Sequence, residues 1–181
     1  MFIKYLYVNY RFMIDKTYID INSKFSTYEI SSILLKNFGR QKPIIVCVGS
    51  DKVLSDITGV FVADILKKRH IDTVVFGGSK RTVNTKICKY LAKYIDLSKI
   101  LFVDSGALYE SEKILVSPYF LCNDGTKIEA LSIIAGTIDR TKNKFLLANK
   151  SFLSIKKYAQ KIADSICEYF SYVDLLCLQN I

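Results

Sequence analysis

The chain has few of the residues on which common catalytic and metal sites depend. Its 181 residues include a single histidine, His70, and its five cysteines include no Cys-X-X-Cys pair. A zinc site therefore has little to be built from. Ser105, Ser132 and Cys47 also lack a nearby histidine to serve as the base of a catalytic triad. The sequence predicts neither a bound metal nor a cofactor.

The cysteines also argue against a disulfide framework. They are odd in number and lie mostly within apolar segments. We therefore expect them to be reduced, to be buried as small apolar side chains, and to belong to a reducing compartment.

Long apolar runs are absent as well. No run reaches the about 20 residues that a membrane-spanning helix needs. The apolar start of the chain is broken by Lys4, Asn9 and Arg11, and it has no small-residue cleavage site. A signal peptide is therefore not predicted. We expect a soluble cytoplasmic protein with no membrane partner.

The net charge of +9 is high for this length and is of the sign that attracts nucleic acid or anionic surfaces. The lysines, however, are scattered along every predicted helix and often lie beside acids, which is typical of solvated faces. We therefore do not expect a nucleic-acid partner. Three such pairs are Lys16 with Asp15, Lys67 with Asp64, and Lys161 with Asp164.

The sequence is organised around the stretch 44–60. Its first five residues, 44–48, are apolar and mostly β-branched, which is typical of a strand buried on both faces. Gly49 marks the end of that strand, and Ser50-Asp51 is typical of a turn. The apolar residues then take a helical period, at Ile57, Val60, Phe61, Ile65 and Leu66.

Strands and helices alternate along the rest of the chain. The patterns predict strands at 73–76, 99–104, 113–116 and 145–148, and helices at 26–38, 57–69, 82–95 and 151–169. The segment 122–141 is predicted to be a loop. This alternation predicts one three-layer α/β domain, with a mostly parallel sheet and helices on both faces.

The N-terminal part of the chain is assigned separately. Residues 1–22 alternate aromatic and polar positions and are predicted to form an N-terminal extension with an edge strand or hairpin, ahead of a domain at 23–181. Ser26 and Glu29 have the spacing of a capping box, which predicts that Ser26 caps the first helix. Gly39 is expected to end that helix.

Two acids follow predicted central strands. Asp56 comes after the strand at 44–48, and Asp104 ends the strand at 99–104, so both are expected at the same edge of the sheet. Two carboxyl groups held close tend to share a proton. One of them then acts as a base toward water and the other as an acid toward a leaving group.

Structural roles remain open for the same acids. Asp56 immediately precedes a helical run and is placed to cap it. Asp104 is placed to accept hydrogen bonds from loop amides, and Asp51 is placed to form an Asx-turn.

Two glycine-containing loops are candidates for anion binding. The loop from Gly49 to Gly59 matches neither the dinucleotide-binding nor the P-loop pattern, so a phosphate site is weakly supported. Gly77-Gly78-Ser79-Lys80-Arg81 either holds an anion with its amides and cations or forms a simple turn.

The motif around Asp56 resembles a known family. Gly49-Ser50-Asp51-Lys52 followed by Ser55-Asp56-Ile57-Thr58-Gly59 is similar to the Gly-Thr-Asp-Arg-x-x-Gly-Asp-x-Leu-Gly signature of the YyaC-type sporulation proteins. These are relatives of the spore germination protease and, more distantly, of the hydrogenase maturation proteases. Further segments resemble the family in the same order over residues 40–170, at Val75-Phe76-Gly77-Gly78, Val83-Asn84, Phe102-Val103-Asp104-Ser105, residues 134–139 and residues 147–149.

The resemblance implies a site as well as a fold. It implies a phosphorylase/hydrolase-like α/β domain with a metal-free peptidase site, in which Asp56 and Asp104 are the catalytic pair. The other polar residues of these motifs, Asp51, Lys52, Asn84 and Ser105, are expected to bind substrate. The family has a histidine where this chain has Asn84.

Three functions follow from these observations. The first is a peptidase-like hydrolase of a spore-forming host, acting on a protein substrate in the cytoplasm, the forespore or the spore interior. The second is a catalytically silent family member that binds a spore protein partner. The third, which the scattered lysines disfavour, is a basic protein associated with nucleic acid. The oligomeric state stays open, a homo-oligomer included.

Overall fold

The computed structural model describes residues 15–108, 112–139 and 151–179. Eight strands occur in this part of the chain: β1 (Thr17–Asp20), β2 (Ile44–Cys47), β3 (Val75–Phe76), β4 (Ile100–Leu108), β5 (Lys113–Ser117), β6 (Phe120–Leu121), β7 (Lys127–Ile128) and β8 (Leu131–Asp139). The helices are α1 (Ser26–Phe38), α2 (Thr58–Lys68), α3 (Thr85–Tyr94) and α4 (Phe152–Leu178), with short 3-10 turns at Leu54–Asp56 and Leu97–Lys99.

Six of the strands form one mixed sheet, in the order β1-β5-β8-β4-β2-β3. The four strands β8, β4, β2 and β3 run parallel to one another. On the other side of β8, β5 pairs with it antiparallel, and β1 pairs antiparallel with β5. Strands β6 and β7 form a separate hairpin. The predicted α/β class with a mostly parallel sheet is therefore confirmed.

The central strand β2 shows how three layers are built. Its side chains alternate between the two faces of the sheet. Ile45 and Cys47 lie in a core formed with α1, α2 and α4. Val46, and Val48 just beyond the strand, lie in a second core formed with α3 and the hairpin. Because both faces are covered there, the strand is apolar throughout, as the sequence predicted.

Strand β8 corrects the prediction of a loop at 122–141. It lies between β4 and β5 and joins the parallel and antiparallel parts of the sheet. Polar residues and a glycine interrupt its apolar pattern. The buried Ser132 hydroxyl donates to the Tyr119 carbonyl at 2.7 Å. A Cβ at Gly136 would lie 2.7 Å from the Lys113 carbonyl oxygen. Tertiary contacts at these two positions therefore explain residues that obscured the strand.

The first helix begins without the predicted capping box. Ser26 is its first helical residue, the preceding position is Phe25, and no side chain caps the helix there. The Ser26 hydroxyl instead donates to the Ser23 carbonyl at 2.8 Å, so the polar group is used within the preceding turn. Gly39 ends the helix with a φ of +56°, which confirms its predicted role.

Two other predictions concern the ends of the chain. Residues Thr17–Asp20 form the edge strand β1, paired with β5, whereas residues 1–14 lie outside the described residues. The strand predicted at 145–148 also lies outside them. Helix α4 runs to Leu178, beyond the predicted end at 169. No helix in residues 15–108, 112–139 and 151–179 has the length and apolar character that a membrane span requires.

The cysteines and the lysine–acid pairs had different outcomes. All five cysteines are free, and Cys47, Cys88 and Cys122 are buried as expected, whereas Cys177 is exposed. None of the three lysine–acid pairs forms an ion pair within the described residues, because nearer tertiary partners are available. Asp164 pairs with Arg69 at 2.7 Å, Lys67 donates to the Gly77 carbonyl, and Lys16 lies 5.1 Å from the centre of the Tyr119 ring.

Helix α2 packs so tightly on the end of β2 that Gly59 has no room for a side chain. A Cβ at Gly59 would lie 1.9 Å from the Val48 carbonyl oxygen. We expect Gly59→Ala to lower the free energy of unfolding by about 3 kcal/mol or more, because the contacting atom is backbone and cannot rotate away. Urea denaturation followed by circular dichroism measures this change.

A matched control is Gly125→Ala. This glycine has a φ of +83° and no atom within 4 Å of the added Cβ. Only the backbone strain of about 1–2 kcal/mol applies there. Equal losses of stability in the two variants would contradict the close packing of α2 on β2.

Candidate functional site

The loop after β2 folds back on itself and places Asp56 beside the sheet. A Cβ at Gly49 would lie 2.3 Å from the Asp56 carbonyl oxygen, so only glycine allows this approach. The Ser50 amide donates to the same carbonyl at 3.2 Å. The loop closes with the 3-10 turn Leu54–Asp56, after which α2 begins at Thr58. Asp56 is therefore held at the end of a tight loop.

Asp56 does not cap α2. The N-cap position is Ile57, and no side chain caps the helix there. The Asp56 carboxylate instead accepts a hydrogen bond from the Ser105 hydroxyl at 3.4 Å. The alternative in which Asp56 is only a helix cap is therefore wrong.

Asp104 lies on β4, between β2 and β8. It follows Val103, which is in register with Cys47 at the end of β2, and it pairs with Ile134 of β8. One carboxyl oxygen accepts the backbone amide of Ser105 at 2.7 Å. The expected hydrogen bond from a backbone amide thus occurs, but its donor is the next residue of the strand and not a loop.

Ser105 connects the two acids. Its amide donates to Asp104, and its hydroxyl donates to Asp56. Strand β2 ends opposite Val103, whereas β4 continues to Leu108, so Asp104 lies within its strand and not at its end as predicted. The loop after β2 nevertheless brings Asp56 to the residue that follows Asp104. Three of the residues predicted for the site are therefore in one cluster. Their catalytic and substrate-binding roles remain predictions.

Burial shifts the pKa of both acids upward. Loss of solvent raises the pKa of Asp104 from 3.8 to about 8; the Ser105 amide opposes this shift, and the negative charge of Asp56 adds to it. Burial also raises the pKa of Asp56, but the Ser105 hydroxyl and the Ser50 amide stabilise its charged form. Asp104 therefore holds its proton at neutral pH, and the donors to Asp56 favour its carboxylate.

A pocket of about 360 Å³ opens beside Asp104 and Ser105. It is bordered by β1, β4, β5 and β8 of the large sheet and by residues 117–123, which include β6. Its walls combine apolar and aromatic side chains with polar ones. The first group includes Tyr18, Leu108, Leu115, Tyr119, Leu121 and Ile134, and the second includes Lys16, Ser117 and Asn123. The acid pair thus borders a space that a side chain or a short peptide segment could occupy.

The remaining predicted site residues are more peripheral. Asp51 and Lys52 are exposed on the loop after β2. The Lys52 amide donates to the Ser50 hydroxyl at 3.2 Å, so the turn there is formed by serine and not by an Asx-turn at Asp51. No hydrogen bond within the described residues joins either side chain to the acid pair.

Asn84 has a structural role. Its side-chain oxygen accepts the amides of Lys86 and Ile87, both at 3.1 Å, and so caps α3. The neighbouring Val83 carbonyl accepts the Gly49 amide at 3.0 Å, which places the start of α3 beside the loop that holds Asp56. Its predicted role in substrate binding remains a prediction.

The loop at Gly77 and Gly78 already holds an anion of the protein itself. The Asp64 carboxylate accepts the Ser79 amide at 3.0 Å, and a Cβ at Gly78 would lie 2.5 Å from one of its oxygens. Lys67 donates to the Gly77 carbonyl on the other side. Of the two interpretations of this segment, the structure supports the turn, because Asp64 fills the place of an external anion.

Sequence reasoning missed Thr137. Its hydroxyl donates to the Ser55 carbonyl at 2.8 Å and joins β8 to the turn that contains Asp56. No local signal in the sequence indicated it, because the hydrogen bond joins residues 82 positions apart. No group of three or more His, Cys, Asp or Glu side chains in the described residues is arranged to hold a metal ion. The expected absence of metal and cofactor stays a prediction.

The raised pKa of Asp104 makes stability depend on pH. Because the folded chain holds this proton more tightly than the unfolded chain, the stabilisation is complete below about pH 4 and is lost as the pH rises toward 8. Asn mimics the protonated carboxyl. We therefore expect Asp104→Asn to match the wild type below about pH 4, to become progressively more stable than it as the pH rises, and to be more stable by on the order of 5 kcal/mol above about pH 8.

Urea denaturation of both proteins over this pH range measures the difference. Groups other than Asp104 contribute almost equally to the two curves, so their difference isolates this carboxyl. A constant difference between pH 5 and 9 would contradict a raised pKa.

Comparison with known proteins identifies a family and no individual relative. No curated protein and no solved structure matches the chain. A family model described as a protein of unknown function, DUF1256, matches residues 18–121, which is more than half of the chain. The match runs from β1 to β6 and includes Asp56, Asp104 and Ser105. The chain therefore belongs to the DUF1256 family.

Proposed function

We propose that this chain is a peptidase-like hydrolase in which Asp56 and Asp104 activate water against a protein substrate. The observation that carries the proposal is the pair of hydrogen bonds from Ser105, which brings the two carboxyl groups into one half-buried cluster. Aspartates paired in this way and shifted in pKa by burial are typical of acid–base sites.

The environments of the two acids assign them different roles. The Ser105 hydroxyl, which donates to the Asp56 carboxylate, and the nearby Ser50 amide both favour the charged form of Asp56, so it acts as the base that takes a proton from water. The water oxygen then attacks the carbonyl carbon of the peptide bond. Asp104, with its pKa raised to about 8, donates its proton to the leaving nitrogen. The products are a carboxyl group and an amine, and no covalent intermediate with the chain is formed.

Two surfaces beside the acids suit a polypeptide substrate. The pocket next to Asp104 offers space for a substrate side chain. On the other side of the cluster, Val53 and Leu54 are 50% and 43% exposed on the loop that holds Asp56. Exposed apolar side chains next to a catalytic cluster favour a ligand with apolar groups of its own. Asp51 and Lys52 are exposed on the same loop.

The biological setting is proposed from the sequence motifs. Membership of the DUF1256 family leaves the process open, whereas the motifs around Asp56 and Asp104 resemble the YyaC-type sporulation proteins. We therefore place the activity in sporulation, in the cytoplasm, the forespore or the spore interior. The substrate is then a protein of that process.

A second function is favoured by Asn84. This residue stands where the resembling family has a histidine, and its side-chain oxygen caps α3. It therefore has no basic nitrogen to offer a substrate. A catalytically silent protein with the same pocket would bind a spore protein without cleaving it.

Replacement of each acid tests the hydrolase. We expect Asp56→Asn and Asp104→Asn each to lower peptide cleavage by at least about 100-fold, because each removes one partner of the proton transfer. Cleavage is measured by mass spectrometry, after incubation of the purified full chain with a library of peptides from a digested proteome between about pH 4 and 8.

Asp72→Asn is the control, because Asp72 is 92% exposed and makes only a surface ion pair with Lys42. It should cleave at the wild-type rate. Cleavage that persists in both site variants would contradict the assigned mechanism. A folded wild-type protein that cleaves no peptide over this pH range would favour the silent binding protein instead.

A further inference from the structure

The positive charge of the chain is concentrated in one segment. Residues 80–99 contain six cations and one acid, Asp96, so this segment has a net charge of +5 out of +9 for the whole chain. This differs from the even scatter that the sequence pattern suggested. The segment comprises the loop before α3, the helix itself and the turn that follows it.

Helix α3 separates its apolar and basic residues sharply. Ile87, Cys88 and Leu91 pack into the second core. The opposite face presents residues at positions i, i+4, i+7 and i+8, which lie together on a helix. They are Lys86, Tyr90, Lys93 and Tyr94, and all four are exposed. We call these four residues the basic aromatic face.

Its two tyrosines form a pair that solvent can reach. Their ring centres are 4.7 Å apart, and the residues are 62% and 72% exposed. Neither tyrosine is among the residues that pack into the second core. The pair therefore offers ring surface that the described part of the fold leaves open to solvent.

The cations around this pair are not neutralised by described acids. Lys89, on the flank of the helix, pairs with Asp124. No ion pair between described residues involves Lys80, Arg81, Lys86 or Lys93. Four cations thus accompany two open aromatic rings along one helix and the loop before it.

The composition of the face discriminates between anionic partners. A membrane surface would require aliphatic side chains to insert, and the four residues of the face include none. A second copy of the chain would bring two faces of like charge together. Protein interfaces are depleted in lysine. Single-stranded nucleic acid needs both cations for its phosphates and aromatic rings on which its bases stack.

We propose that the basic aromatic face, with Lys80 and Arg81, binds single-stranded nucleic acid. Lys86 and Lys93 are seven residues apart, which places them about 10 Å apart along the helix, with Tyr90 between them and Tyr94 just beyond Lys93. The lysines contact phosphates, and the tyrosines stack on bases. Contacts of this kind recognise the strand without selecting its sequence.

The surface begins beside the proposed active site but does not depend on it. The Val83 carbonyl, just before α3, accepts the Gly49 amide of the loop that holds Asp56. None of the residues of the surface contacts Asp56, Asp104 or Ser105. The proposal of nucleic-acid binding and the proposal of hydrolase activity can therefore be tested independently.

Fluorescence anisotropy with a labelled oligothymidine of about 20 nucleotides, longer than the about 4–16 that such sites cover, tests the proposal on the full chain. We expect Tyr90→Ala/Tyr94→Ala to weaken binding by about 5-fold or more, because two stacking contacts are lost. We expect Lys86→Ala/Lys93→Ala to lower the slope of log affinity against log salt by about 1.4 between about 50 and 200 mM NaCl.

The control variant is Lys36→Ala/Lys68→Ala, which removes the same charge from exposed positions of α1 and α2. It should keep wild-type affinity apart from the small effect of net charge. Equal weakening in the control would show diffuse attraction and would overturn the site. Binding that is unchanged in the tyrosine variant and is displaced by polyglutamate as readily as by unlabelled oligothymidine would overturn it, because the partner would then be an acidic protein. Tighter binding to duplex DNA, with the tyrosine variant unaffected, would also overturn it.

Discussion

The candidate site depends on the two hydrogen bonds of Ser105. Its amide holds Asp104, and its hydroxyl holds Asp56, so one residue of β4 sets the positions of two carboxyl groups from different elements. Its hydroxyl also separates their behaviour, because it stabilises charge on Asp56 alone. Burial raises both pKa values, that of Asp104 to about 8, while the Ser105 hydroxyl and the Ser50 amide favour the charged form of Asp56. The assignment of base and acid follows from that asymmetry.

The rest of the fold serves to bring Asp56 within reach of Ser105. Gly49 lets the loop after β2 approach Asp56, and Gly59 lets α2 approach the Val48 carbonyl. Thr137 fixes the same loop to β8 from the other side. The Thr137 contact joins elements far apart in sequence, and the contacts at Gly49 and Gly59 require a residue that has no side chain. Together they hold a polar loop rigidly at the edge of an apolar sheet, where a displaced carboxylate would lose its partner.

The local sequence pattern was sufficient to predict most of the fold and to single out the two acids. Strand β2 is apolar because both of its faces are buried, and α2 is periodic because only one face is, so both were predictable. Strand β8 was not, because Ser132 and Gly136 are accommodated by contacts with Tyr119 and Lys113 that no local pattern reveals. The sequence indicated Asp56 and Asp104 because both come at or beyond the ends of predicted strands. It did not indicate Thr137, because Thr137 lies on β8, where a loop was predicted. The lysine pairs failed because tertiary partners replaced sequence neighbours.

The pKa values of the two carboxyl groups test the central claim most directly. NMR titration of the aspartate carboxyl carbons, in the wild type and in Ser105→Ala, measures both. The structure predicts that Asp104 titrates near pH 8 and that Asp56 titrates lower. Removal of the Ser105 hydroxyl should raise the pKa of Asp56, because a donor to its charged form is lost. Ordinary values for both acids, or no change of Asp56 in the variant, would contradict the account.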